Sequence, residues 1–286
     1  MKVEFYSNNN NPEKFWDETI GILVKNEAQN AILIKNAAKF RNELGADDWF
    51  CATVKDIFGN ILTSAMCTPP WNIVVYETSN KHDEKAINLL AKKLFQEGYI
   101  LPGVTGEKIT AELFAGSYAK FIKKDTKVHI TLNAMQLDKL SDNIDFAPGY
   151  LREITEDDLN FLPYWTNAFA VDCGLRVDDI VNSHEHFKKQ VGKSIDYVWV
   201  DKIPVSMAGA VGLMPNGAKI SRVYTPPFYR NKNYSTSCVW HLSKLLLDQG
   251  QKFVSLFADA DYPVSNKVYQ KVGYRNVCLY QEIQFE

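Results

Sequence analysis

Apolar positions recur at helical spacing over residues 12–42. Phe15, Trp16, Ile20 and Leu23 mark one helix, and Ala31, Ile34, Ala38 and Phe40 a second. Short apolar runs at 49–55, 61–67 and 72–76, set off by Gly59-Asn60 and Pro69-Pro70, predict three strands. Ala86, Leu89, Leu90 and Leu94 give a helix over 81–97 one buried face, and Gly98 follows as its C-terminal stop. A strand over 99–101, a helix over 107–121 and a strand over 128–137 complete this half. Leu101-Pro102-Gly103-Val104-Thr105-Gly106 reads as a Gly-rich turn that ends the short strand and opens the helix.

Ser141-Asp142-Asn143 and Pro148-Gly149 have the composition of a linker, and beyond them a similar pattern returns. A strand is predicted over 150–154, helices over 157–169 and 178–192, and strands over 197–201, 205–213 and 218–225. The last two strands meet at Pro215-Asn216-Gly217, a hairpin signal. A helix over 235–249 closed by Gly250, a strand over 253–258, a helix over 264–272 closed by Gly273 and a strand over 274–285 finish the chain. Both halves therefore run helix, helix, three strands, helix, strand, helix, strand. The shared order predicts an α/β protein of two similar domains, residues 1–140 and 149–286.

Composition narrows the function classes. The 286 residues suit two domains, and 46% hydrophobic residues can fill two cores. A formal charge of −2 without a basic block gives no footprint for nucleic acid. No apolar run follows Met1-Lys2-Val3-Glu4, and none reaches the roughly 20 residues of a membrane span, so a cytoplasmic chain without a membrane partner is expected. The cysteines Cys51, Cys67, Cys173, Cys238 and Cys278 are odd in number and scattered, which predicts free thiols and no metal site. His184-x-His186 lacks further ligands at metal spacing, and His241 reads as a packing or surface residue.

The segment Ser221-Arg222-Val223-Tyr224-Thr225-Pro226-Pro227-Phe228-Tyr229-Arg230-Asn231-Lys232-Asn233-Tyr234-Ser235 joins a strand to a long helix. The first turn of such a helix has unpaired N–H groups and about half a positive charge, which together can seat a phosphate. An ordinary strand–turn–helix connection is the alternative at this point.

The segment resembles the acetyl-CoA-binding motif of the GNAT acetyltransferases, a strand followed by Arg/Gln-x-x-Gly-x-Gly/Ala at a helix start. Arg230 matches its first position, while Asn233 and Ser235 stand where the family prefers glycine or a small residue. Leu256-Phe257-Ala258-Asp259 followed by Asn266-Lys267-Val268-Tyr269-Gln270-Lys271-Val272-Gly273-Tyr274 resembles the family's second motif. The resemblance covers about residues 150–286. It implies tandem GNAT-like domains, each a mixed, mostly antiparallel sheet flanked by helices.

It also implies acetyl-CoA as co-substrate, with Val223, Tyr224 and Thr225 along the pantetheine arm. Arg230, Asn231, Lys232, Asn233, Tyr234 and Ser235 would lie around the pyrophosphate, and Asn266 against the arm. Tyr269 would lie near the thioester sulfur, and Asp259, at the end of a strand facing the cofactor, is the candidate base. The implied reaction is acetyl transfer to the primary amine of a small molecule. A non-catalytic acyl-CoA-binding module is the competing expectation. The first half has Tyr76-Glu77-Thr78-Ser79-Asn80-Lys81 in place of the phosphate loop, and Glu77 would repel phosphate, so a degenerate domain is expected there. The oligomeric state and the acceptor stay open.

Overall fold

A computed structural model describes residues 1–7, 11–42, 48–79 and 82–286, with the backbone alone of Val211 and Leu213. Asn80 and Lys81, the end of the segment after the third predicted strand and the expected helix start, lie outside the described residues.

The first series of elements is β1 (Lys2–Ser7), α1 (Pro12–Leu23), α2 (Ala31–Asn42), β2 (Phe50–Lys55), β3 (Ile61–Cys67), β4 (Ile73–Glu77), α3 (Glu84–Gln96), β5 (Gly103–Glu107), α4 (Lys108–Ile122) and β6 (Thr126–Leu137). The second is β7 (Tyr150–Glu153), α5 (Leu162–Asp172), α6 (Ile180–Gln190), β8 (Asp196–Asp201), β9 (Ile203–Leu213), β10 (Gly217–Tyr224), α7 (Tyr234–Asp248), β11 (Phe253–Asp259), α8 (Pro263–Val272) and β12 (Arg275–Phe285). The two series have the same order. The fold is α/β with mixed, mostly antiparallel sheets and flanking helices.

Three local expectations change. Lys2–Ser7, where the pattern predicts no element, is a strand; it pairs antiparallel with β2 and buries Tyr6. The strand lies at Gly103–Glu107 and not at 99–101. Gly103 and Gly106 serve close approach instead of a turn: a Cβ on Gly103 would strike the Ile283 carbonyl, and one on Gly106 would come 2.7 Å from the Val75 carbonyl. The helix expected over 157–169 divides into a 3₁₀ turn, Glu156–Asn160, and α5. Asp158 closes a capping box on Thr155 in that turn, and Pro163 sits in the first turn of α5, where its missing N–H costs nothing.

The chain packs as two compact units, Met1–Ala134 with Val277–Glu286, and Met135–Asn276. The boundaries differ from the sequence division at both ends. Strand β12 pairs antiparallel with β5, from Tyr280 opposite Glu107 to Gln284 opposite Gly103, and Ile283 and Phe285 enter the first unit's core. Residues of the expected linker pack into the second unit. Ser141 N–H donates to the Val272 carbonyl at 2.9 Å, and Ala147 N–H to Ser237 Oγ at 2.9 Å. The indoles of Trp199 and Trp240 donate to the carbonyls of Pro148 and Ser141 at 2.9 and 3.0 Å. Irregular backbone can be buried there because these polar groups are satisfied.

Each unit has helices on both faces of its strands. In the first, Leu90, Phe114 and Tyr118 of α3 and α4 cover one face, and Phe15, Leu23 and Phe40 of α1 and α2 the other. In the second, Val239, Leu242 and Tyr269 of α7 and α8 pack with Trp199, and Leu162 and Phe187 of α5 and α6 pack with Val198 and Val200. The alternation of Val198, Trp199 and Val200 between faces is the period of a strand buried on both sides. No helix among the described residues is long and apolar enough to cross a membrane.

Candidate functional site

In the second unit, β10 and β11 run parallel but pair only at Gly217–Phe253, Ala218–Val254 and Lys219–Ser255. Past that point β10 continues to Tyr224 and β11 to Asp259 without pairing with each other. Parting parallel strands opens a crevice at their C-terminal ends, where ligands of α/β sheets bind.

One side of the crevice is β10. Its register with β9 shifts between Ser221 and Tyr224, and Arg222 within that bulge has φ +53°. The Ser206 hydroxyl donates to the Tyr224 carbonyl at 3.1 Å and lies 2.8 Å from Thr225 Oγ1, tying down the strand's end. Val223 and Thr225 are partly exposed beside buried Tyr224.

The strand then leads through a 3₁₀ turn, Pro227–Tyr229, to a loop without glycine. Two asparagines take its left-handed positions: Asn231 at φ +63° and Asn233 at φ +58°. Asparagine tolerates this region far better than β-branched residues. Asn233 is the N-terminal cap residue of α7, and its side chain makes no capping bond. Ser237 N–H reaches the Asn233 carbonyl at 2.9 Å, so the N–H groups of Tyr234, Ser235 and Thr236 precede the helical ladder. The Tyr234 ring is buried, and its hydroxyl donates to Asp201 at 2.5 Å, which anchors the helix start.

Arg230 is a strut instead of a free cation. Its Nε donates to the Thr225 carbonyl at 2.9 Å, its Nη2 to Asp172 at 2.6 Å, and the guanidinium lies over the Tyr224 ring. The exposed Lys232 ammonium lies 5.4 Å from the Phe228 ring centre. Asn233 Nδ2 donates to Asp145 at 3.1 Å.

The opposite side is the end of β11 and the start of α8. Asn266 is buried and donates from Nδ2 to the carbonyls of Asp259, 2.7 Å, and Tyr262, 2.9 Å, fixing the helix to the strand. Asp259 is partly exposed, and its Oδ1 accepts the Asp261 N–H at 2.9 Å within a turn. Tyr269 lies one helical turn beyond Asn266, and burial raises its phenol pKa. Cys173, at the end of α5, lies near enough to Tyr269 and Asp259 to feel both, and burial with the Asp172 and Asp259 charges lifts its thiol to about 11. Sequence spacing gave no sign of Cys173 or Asp172 here, because α5 is remote from both motifs in the chain.

The first unit differs at the same place. Glu77, buried at the end of β4, accepts the Asp83 N–H, and Asp83 Oδ1 accepts the N–H groups of Lys85 and Ala86 at 3.0 and 3.1 Å. The donors at the start of α3 are thus met by the chain's own carboxylates. His184 and His186 lie on α6, and the His241 ring packs on Trp199, Trp240 and Phe146. Among the described residues no group of three or more His, Cys, Asp or Glu is placed to hold a metal.

Residues 164–274 match the family described as the acetyltransferase (GNAT) family. No curated protein matches the chain. Among solved structures, a GCN5-related N-acetyltransferase from Sphaerobacter thermophilus is 9% identical with a TM-score of 0.62, covering 99% of this chain and 95% of its own. A GNAT-family acetyltransferase from Colwellia psychrerythraea is 12% identical with a TM-score of 0.55, covering 100% and 99%. A tandem GNAT protein from the clavulanic acid biosynthesis pathway is 11% identical with a TM-score of 0.54, covering 100% and 98%. Residues 164–274 therefore match the acetyltransferase (GNAT) family, and the chain shares its fold over its whole length with GNAT proteins, a tandem GNAT protein among them.

Proposed function

We propose that the second unit binds acetyl-CoA between β10 and β11 and transfers its acetyl group to the primary amine of a small molecule. One observation carries the reading: the parted strands end beside a helix start that two left-handed asparagines leave open. The N–H groups of Tyr234 and Ser235, together with the positive end of α7, suit a pyrophosphate. Val223 in the bulge and Thr225 after it would flank the pantetheine arm, and Asn266 would bound it on the other side.

In the reaction, the amine nitrogen attacks the thioester carbonyl carbon, the C–S bond breaks, and the amine loses a proton. An amine of pKa about 10.4 is neutral in roughly one molecule in two thousand at pH 7, so the proton must leave before attack. Asp259 Oδ2 is the candidate acceptor, directly or through water. Tyr269, kept protonated by burial, would donate a hydrogen bond to the departing thiolate, which then takes its proton from water. Five free cysteines suit a cytoplasmic setting.

The turn held by Asp259 Oδ1 favours a second reading, a non-catalytic acyl-CoA-binding module, because it commits part of the candidate base to structure. Incubating the full chain with acetyl-CoA and a panel of primary amines, and measuring released thiol, separates the two. Amine-dependent release supports transfer. Tight binding of acetyl-CoA without release on any amine supports the second reading.

A further inference from the structure

The bulge in β10 is held by a pair of charges reaching across an intervening strand. Asp196 opens β8 and is 4% exposed. It stands opposite Gly209 of β9, which in turn stands opposite Ser221 of β10. Arg222 Nη2 donates to Asp196 Oδ1 at 2.6 Å over Gly209. A Cβ on Gly209 would lie 2.7 Å from Asp196 Oδ1 and 2.8 Å from Arg222 Nη2, so only glycine leaves the passage open. Arg222 is also the bulge residue at φ +53°, a conformation that an arginine adopts only against a cost. His186 on α6 faces the pair; burial and the Arg222 cation lower its pKa, with Asp196 acting in the opposite direction.

We propose that Asp196 is a positioning residue for the cofactor: by clamping Arg222 through the gap at Gly209 it holds β10 in the left-handed bulge that presents Val223 to the pantetheine arm. The proposal rests on the cofactor placement above. Asp196 acts through the backbone of β10 and touches no reacting atom. The charge pair offsets the cost of the left-handed arginine, and the buried carboxylate makes the clamp directional.

The test compares CoA with adenosine 3′,5′-bisphosphate, which lacks the arm and the arm-side phosphate of the pyrophosphate, by calorimetry on the full chain with thermal melts as a folding control. Asp196→Asn is expected to weaken CoA about tenfold, within the usual range for released backbone strain, and to leave the bisphosphate unchanged. In the Asp196→Asn background, Arg222→Gly is expected to restore CoA affinity to within about twofold of the parent, because glycine adopts positive φ without a clamp, while Arg222→Ala stays weak. Gly209→Ala, which closes the passage, is expected to behave like Asp196→Asn. Parent-like CoA affinity in Asp196→Asn, or equal affinity in the glycine and alanine double variants, overturns the clamp while leaving the cofactor site intact. A parent chain that binds neither ligand overturns the cofactor placement and the clamp with it.

Discussion

The buried carboxylate of Glu77 accepts the backbone N–H of Asp83, and Asp83 caps the first turn of α3. The first unit thus supplies internal anions at the strand–helix junction, whereas at that place in the second unit the N–H groups of Tyr234, Ser235 and Thr236 precede the helical ladder. Calorimetry of CoA against the full chain should give one site. Two sites of similar affinity would contradict the assignment. Asp83→Ala should cost about 1 kcal/mol of stability, the usual loss of an N-terminal cap, without creating a second site while Glu77 remains.

Tyr269 fills a buried place beside Tyr274, with ring centres 6.0 Å apart, so Tyr269→Phe keeps the packing and removes only the hydroxyl. With an identified acceptor, turnover should fall by about tenfold or more, and acetyl-CoA affinity should change by less than about twofold. Unchanged turnover would make Tyr269 a packing residue.

A pH effect is expected in the first unit. Lys14 and Lys55 hold the Glu4 carboxyl down to about 2, from an ordinary value of 4.5. The folded value is depressed, so this stabilisation is fully present above about pH 4.5 and is lost as pH falls toward 2. Glu4→Gln should lower stability at pH 7 by about 1 kcal/mol, as for a partly exposed ion-pair network, and the difference should vanish near pH 2. Melts of both proteins across that range check it, and a gap that persists at pH 2 would contradict the ionic origin.

Much of the fold was legible because its elements carry clean periods. The face of Ala86, Leu90 and Leu94 and the Asn216-Gly217 hairpin were plain in the sequence. The left-handed Asn233 was legible too, since the family motif has glycine there and asparagine is the residue that best replaces it. The packing of β12 in the first unit was not, because a strand's own pattern does not name its neighbour. Gly103 and Gly106 misled, since close approach and turns use the same residue. Asp196 and Arg222 are distant in sequence, and only Gly209, a glycine within a strand, hinted at a close contact between them.

The central claim is that the loop from Arg230 to Ser235 seats the CoA pyrophosphate, and Asn233 tests it most directly. At φ +58° this residue sets the path of the backbone into α7, and its side chain makes no capping bond. The measurement is the CoA dissociation constant of the parent, Asn233→Gly and Asn233→Val, with thermal melts alongside. Glycine should keep or improve affinity. Valine should cost about 1–3 kcal/mol, roughly five- to a hundredfold in affinity, with little loss of global stability because the loop lies at the surface. A valine variant that binds CoA as tightly as the parent would contradict the placement of the pyrophosphate on this loop.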